Sequence, residues 1–215
     1  VYVLGRFYNT VDFNPGPGTF NLTSNGSYDI FVQKLDANGN FIWAKSFGST
    51  SDDIGYSITV DSNNDIYITG RFYGTIDFDP GPNTFNLTSI YNREIFLLKL
   101  SSEGDFIWAK SFGGGGIDEA TAVSIDESDN IYLGGFFTGD VDFDPGDDEF
   151  IVEYDYGNSM YILKLNSSGD FGWVQTFGNN INGYVRTVRV ISDAVVVGGI
   201  FGGTMDFDPG VEVEN

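Results

Sequence analysis

An all-β chain, in which one four-stranded antiparallel sheet is copied in tandem, is what this sequence predicts, and three observations carry the prediction. The first is a repeat of 65 residues. Asp12-Phe13-Asn14-Pro15-Gly16 recurs as Asp77-Phe78-Asp79-Pro80-Gly81, as Asp142-Phe143-Asp144-Pro145-Gly146 and as Asp206-Phe207-Asp208-Pro209-Gly210. Lys34, Lys99 and Lys164 keep the same step, as do Trp43, Trp108 and Trp173, and Phe47, Phe112 and Phe177. The second is alternation of apolar and polar side chains with a period of two, and no helical periodicity in the unit. The third is that short turn sequences separate the apolar runs, as hairpins require.

The second copy shows each element in order. Gly55-Tyr56-Ser57-Ile58-Thr59-Val60-Asp61 alternates Tyr56, Ile58 and Val60 with small polar residues and reads as a first strand. Ser62-Asn63-Asn64-Asp65 turns the chain, and Ile66-Tyr67-Ile68-Thr69-Gly70 is a second strand antiparallel to the first. Ile95-Phe96-Leu97-Leu98-Lys99-Leu100 is apolar on both faces, which suits a third strand covered from each side. Ser101-Ser102-Glu103-Gly104 is a turn with its glycine in the left-handed region, and Asp105 to Phe112 is the fourth strand. First strands are expected near Tyr56 to Asp61, Thr121 to Asp126 and Tyr184 to Ile191.

Four antiparallel strands per repeat, with sheets that need cover on both faces, describe the blades of a β-propeller; a β-solenoid has much shorter coils. The chain of 215 residues then holds about 3.3 units, a β-propeller segment divided as a partial blade at 1–48, blades at 49–113 and 114–178, and a partial blade at 179–215. Val1 to Phe7 matches Ile66 to Phe72, so the chain opens in mid-repeat, and a longer parent chain is expected. An unclosed segment would leave exposed edges that invite association.

Composition narrows the chemistry. The chain is 41% hydrophobic and 16% aromatic, enough for a packed core despite a net charge of −21. With 31 acidic against 10 basic residues, a phosphate backbone or an anionic membrane would be repelled, and no apolar run approaches a bilayer span, so neither nucleic acid nor membrane insertion is expected. Cysteine and histidine are both absent, which removes disulfides, thiolate or imidazole metal sites and His-dependent catalytic triads.

The stretch Asp52-Asp53-Ile54-Gly55-Tyr56-Ser57-Ile58-Thr59-Val60-Asp61, followed by Asn64-Asp65-Ile66-Tyr67-Ile68-Thr69-Gly70, resembles the seven-bladed β-propeller repeat family, the SBBP-type repeats. Lys99-Leu100 and Phe106-Ile107-Trp108-Ala109-Lys110 resemble that family's third and fourth strands. The last copy departs from the pattern, with Gly183 where Asp53 and Asp118 stand and a shorter turn before Val195. The resemblance implies a secreted or cell-surface bacterial protein and no particular activity.

The Asp-Phe-Asp-Pro-Gly segment lies in an insertion between the second and third strands. Residues i and i+2 of an extended chain share a face, so Asp77 and Asp79 point together while Phe78 points into packing. Two readings stay open: an ordinary Pro-Gly turn, or a calcium site at Asp12, Asp77, Asp79, Asp142, Asp144, Asp206 and Asp208 that borrows further oxygens. Asp52, Asp53, Asp118 and Glu119, in the loops leading into the first strands, read as a solvated acidic rim. The three tryptophans read as inter-blade core, and Arg6 and Arg71 give way to Phe136 and Ile200, so that position holds no repeated ligand.

Catalysis finds little support. The Asp-box of sialidase propellers fails at Gly39 to Trp43 and Gly104 to Trp108, which are one residue too long, and Ala37 and Ser102 stand where an acid belongs. The expected function is a non-catalytic scaffold for adhesion, structure or ligand binding, with other repeats, a surface protein or a glycan as partner. The alternative is the propeller part of a carbohydrate-active enzyme whose catalytic residues lie elsewhere.

Overall fold

The computed structural model describes residues 1–154, 157–181, 183–192 and 194–205. Among them there is no helix. The strands are β1 (Tyr2–Phe7), β2 (Thr10–Asp12), β3 (Asn21–Thr23), β4 (Asp29–Leu35) and β5 (Phe41–Phe47) in the first copy of the repeat. The second copy supplies β6 (Ile54–Val60), β7 (Ile66–Phe72), β8 (Thr75–Asp77), β9 (Asn86–Thr88), β10 (Glu94–Leu100) and β11 (Phe106–Gly114). The third supplies β12 (Glu119–Ile125), β13 (Ile131–Phe137), β14 (Val141–Asp142), β15 (Ile151–Val152), β16 (Asn158–Leu165) and β17 (Phe171–Ile181), followed by β18 (Tyr184–Ile191) and β19 (Ala194–Ile200).

All pairings are antiparallel. The second and third copies each order their long strands as β6-β7-β10-β11 and β12-β13-β16-β17; the first contributes β1-β4-β5 and the last β18-β19. The expected first strands therefore appear as β6, β12 and β18. The short strands are hairpins within the insertions, β2 with β3, β8 with β9 and β14 with β15. One of them reaches across copies. Gly113 and Gly114 of β11 pair with Asp142 and Val141 of β14, joining the second sheet to the third copy's insertion.

The turns between third and fourth strands follow the prediction: Gly39, Gly104 and Gly169 take φ of +83°, +82° and +82°. Every residue of β7 is buried and β10 nearly so, because neighbouring sheets cover the second sheet on each side. A side-chain row crosses each sheet at the same place: Tyr2, Lys34 and Trp43; Tyr67, Lys99 and Trp108; Tyr132, Lys164 and Trp173. The lysine nitrogens lie 5.8, 4.9 and 5.2 Å from the tyrosine ring centres, a cation–π contact that lets a charged residue sit in a half-buried row.

The tryptophans require a correction. Trp43 and Trp108 are half-buried rather than core, and Trp173 is 36% exposed. Each of the first two covers the turn glycine of the following copy: a Cβ on Gly104 would lie 3.1 Å from Trp43, and one on Gly169 would lie 3.1 Å from Trp108. The indole needs that bare glycine, because a side chain there would hold the sheets apart. No such glycine is placed against Trp173 among the described residues.

The first strands run side by side, each presenting an edge to the next copy. The Val123 N–H donates to Ser57 Oγ at 3.1 Å, and the Val190 N–H to Ser124 Oγ at 3.3 Å. Thr121 Oγ1 donates to the Val185 carbonyl. Small hydroxyl residues thus satisfy backbone groups that a sheet edge leaves unpaired, without adding another strand.

Candidate functional site

The same irregularity occurs in all three first strands. Pairing with the second strand slips between Gly55 and Ser57, between Ala120 and Ala122, and between Val185 and Thr187, so Tyr56, Thr121 and Arg186 are the extra residues of β-bulges. These positions are 65 residues apart. A bulge leaves its extra residue unpaired and re-aims the side chain. Opposite each bulge stands a glycine: a Cβ on Gly70, Gly135 or Gly199 would meet the carbonyl of Ile54, Glu119 or Tyr184 at 1.9, 1.8 or 2.6 Å. The glycine near the end of each second strand is the signal in the sequence, since a glycine inside a strand pattern marks a bulge or a close approach.

All three bulged side chains line one cavity of about 650 Å³, together with Glu119, Phe136, Asn158 and Tyr184. The repeat keeps the backbone device and changes the side chain. Arg71 enters from β7: its Nε is 3.0 Å from Glu119 Oε1 and donates to the Tyr56 hydroxyl at 3.1 Å. Arg93 approaches the same carboxylate oxygen at 3.8 Å. Arg186 donates to the Tyr184 hydroxyl at 2.8 Å and lies 4.7 Å over that ring. Asn158 donates to the Gly183 carbonyl at 3.1 Å, while its own Oδ1 is buried without a protein partner, as is one terminal nitrogen of Arg71. Burial pushes the Tyr56 hydroxyl pKa up against the lowering effect of Arg71. Arg71, which does not recur in the later copies, carries the most buried of the ion pairs between copies.

Of the acids leading into the first strands, Asp52 keeps solvent exposure as expected, whereas the other three are not part of a solvated rim. Asp53 and Asp118 are fully buried and Glu119 nearly so. Asp53 accepts from the Ser49 N–H at 2.6 Å and the Tyr73 N–H at 2.9 Å; Asp118 accepts from Gly114 at 3.1 Å and Thr138 at 3.3 Å. Each carboxylate ties the end of the preceding copy's fourth strand to its own second strand. Burial pushes Asp118 up to about 7, with nearby Glu94 adding to the shift and the two N–H donors opposing it. Burial likewise raises Asp53 and Glu94, and takes Asp29 to about 6.

The proposed calcium positions lie elsewhere, in the insertions. Asp77 Oδ1 accepts from the N–H groups of Asp79 and Phe85 at 3.0 and 2.8 Å, and Asp79 Oδ1 from that of Gly81 at 2.7 Å. Asp12 and Asn14, and Asp142 and Asp144, do the same for their own loops. The donors at Phe20 and Asn14 hold the Asp12 carboxyl below its ordinary range. Asp206 and Asp208 lie outside the described residues. Phe13, Phe78 and Phe143 are buried as expected, and Phe20, Phe85 and Phe150 pack on Phe41, Phe106 and Phe171 with ring centres 4.9, 4.8 and 4.6 Å apart. Among the described residues no group of three or more acidic side chains is arranged to hold a metal ion.

Residues 42–71, which run from β5 through Tyr56 to Arg71, match the family model described as SBBP, beta-propeller repeat. The likeness is to a single propeller-type repeat. The SBBP match straddles two sheets, taking the fourth strand of one copy and the first two of the next, and so includes both the Trp43 contact and the first bulge. Over 181 residues, 76% of this chain, the sequence is 28% identical to an uncharacterized WD repeat-containing protein of Acanthamoeba polyphaga mimivirus. Over 195 residues, 88% of the chain, it is 26% identical to the regulatory protein FlaEY of Caulobacter vibrioides. The matched regions span 13% and 20% of those two proteins, so the chain corresponds to a minor part of each.

Proposed function

We propose that this chain is a non-catalytic binding scaffold, a segment of a β-propeller whose blades are the four-stranded sheets and whose ligand seat is the cavity at the three bulges. The observation that carries the reading is the recurrence of the bulge at Tyr56, Thr121 and Arg186 with a different side chain each time, all reaching one cavity. A purely structural repeat has no reason to diversify that position while keeping its backbone. The SBBP repeat and the repeat-containing relatives support a scaffold role.

Among the described residues Glu119 is the one carboxylate lining the cavity, and Arg71 occupies it. Glycoside hydrolysis requires two carboxylates facing one bond, which supports binding over catalysis. The segment belongs, on this reading, to a longer secreted or cell-surface protein engaged in adhesion or ligand capture. Calcium at the Asp-Phe-Asp-Pro-Gly loops is a separate proposal with its own test in the Discussion.

A fragment library screened by amide chemical-shift perturbation tests the seat. Hits are expected to cluster on the amides of Tyr56, Thr121, Tyr184 and Arg186; hits scattered over the outer strands would overturn it. Chromogenic glycosides are expected to show no turnover above buffer with the full-length protein, and turnover there that survives mutation of Glu119 would favour the alternative of an enzyme whose catalytic residues lie outside this segment. Antibody labelling of intact source cells tests surface exposure.

A further inference from the structure

We propose that the cavity at the bulges takes a carboxylate-bearing sugar, a uronate-type residue of a short oligosaccharide. The proposal rests on that cavity being the ligand seat, and it names the ligand class. The adjoining groove, about 440 Å³, continues along β6, β12 and β18 past Ser57, Thr59, Ser124, Thr187 and Arg189.

The charge distribution is the first argument. The chain has 31 acidic residues, yet among the described residues the side chains lining the cavity and the groove include one acid, Glu119. That acid is already matched by Arg71 at 3.0 Å and Arg93 at 3.8 Å. Of the chain's five arginines, Arg186 lines the cavity and the groove and Arg189 lines the groove, while Arg71 and Arg93 pair with Glu119 in the cavity wall. Arg186 and Arg189 make no ion pair among the described residues. A local positive seat in a strongly negative protein selects a ligand with a single charge at a defined point, because a long polyanion would be repelled by the rest of the surface.

The second argument is the shape of the charge and what surrounds it. Tyr184 holds the Arg186 guanidinium by a stacking contact and a hydrogen bond, so its planar fork is oriented in advance, as two-point recognition of a carboxylate requires. The rings of Tyr56, Phe136 and Tyr184 offer apolar faces for a pyranose ring, and Phe136 and Tyr184 lie 6.3 Å apart between centres. Asn158 adds a side-chain amide to the cavity lining. The hydroxyls of Ser57, Thr59, Ser124 and Thr187 continue that polar lining into the groove. An acidic peptide would use the arginines and leave the aromatic faces without a matching ring.

Calorimetric titration of the chain with a trisaccharide of two galactose residues and one galacturonic acid tests the proposal, with its methyl ester and hexaglutamate as comparisons. The acid is expected to bind, more weakly as salt rises. The ester should bind roughly tenfold or more weakly, the loss expected for one charge-assisted contact. Arg186→Met should produce the same loss and Arg186→Lys a smaller one; both change an exposed side chain, and an unaltered melting temperature will show that the fold is intact. Equal binding of acid and ester, hexaglutamate binding as tightly as the trisaccharide, or no binding of the acid would each overturn the proposal. The fragment screen can still place ligands at the bulges in those cases, so failure of the ligand class and failure of the seat are separable.

Discussion

Arg71 and Glu119 come from different copies of the repeat and meet in a buried ion pair, Nε to Oε1 at 3.0 Å, with side chains 8% and 11% exposed. The pair links β7 to β12 and forms the wall of the candidate site. Removing one partner of a buried pair leaves the other charged and uncompensated, which costs about 3–5 kcal/mol, whereas replacing both by apolar groups can be nearly neutral. Glu119→Ala is therefore expected to lower urea stability by that amount, and the double variant Arg71→Met with Glu119→Leu to recover most of it. A single variant as stable as the parent chain would remove the pair's role in joining the copies.

Gly39 and Gly169 share a left-handed backbone but differ in surroundings. A Cβ at Gly39 meets nothing within 4 Å, whereas one at Gly169 meets Trp108 at 3.1 Å and Lys110 at 2.9 Å. Alanine at either costs about 1–2 kcal/mol for the backbone conformation. Gly169→Ala is expected to cost more than Gly39→Ala, and the difference measures the contact between copies. Trp108→Ala should likewise cost more than Trp173→Ala but less than the roughly 3–5 kcal/mol of a fully buried aromatic. Equal effects within each pair, by chemical denaturation, would contradict this packing.

The buried carboxyls set the pH dependence. With Asp118 pushed up to about 7 and Asp29 to about 6, the folded chain holds protons that the unfolded chain has released above about pH 4. Stability from these groups is present at the acid side of that window and is lost as pH rises through the folded values. Asp170, held low by Asn166, and Asp36, held low by Asn40, act oppositely, and only as pH falls through the ordinary carboxylate range. The melting temperature is expected to be higher at about pH 5 than at about pH 8, and Asp118→Asn to flatten the profile. A melting temperature that rises from pH 5 to pH 8 would refute it.

Asp77 caps two backbone N–H groups of its loop, so Asp77→Ala should cost about 1 kcal/mol while Asp77→Asn, which keeps the acceptor, costs less. Calcium gives the loop a second test. If the carboxylates also bind the ion, millimolar calcium will raise the melting temperature against a chelator, and Asp77→Asn with Asp79→Asn will reduce that rise. An unchanged melting temperature would leave the loop as a capped turn.

Among the described residues, strand β1 has no partner on the side away from β4, and β19 none on the side away from β18. Unpaired edges template further pairing. The 215-residue chain is expected to associate with rising concentration in sedimentation velocity; a monodisperse monomer across the range would refute this.

The strands, the turn glycines and the inward-facing Phe78 follow from local pattern, because alternation, turn chemistry and a fixed 65-residue step act through residues close in sequence. So does the SBBP resemblance, whose matched stretch is a run of such patterns. Tertiary structure alone decided what lies between copies. Asp53 and Asp118 look like surface acids until the ends of neighbouring strands are seen to enclose them and donate N–H groups. Trp43 and Trp108 cover a glycine of the following copy, a contact across 61 residues that no periodicity announces. The bulges at Tyr56, Thr121 and Arg186 were written in Gly70, Gly135 and Gly199, but only the packing of first strands edge to edge brings their side chains to one cavity. Sequence specifies each copy through short-range constraints; the site is made by the juxtaposition of copies, and burial and electrostatics act there on residues far apart in the chain.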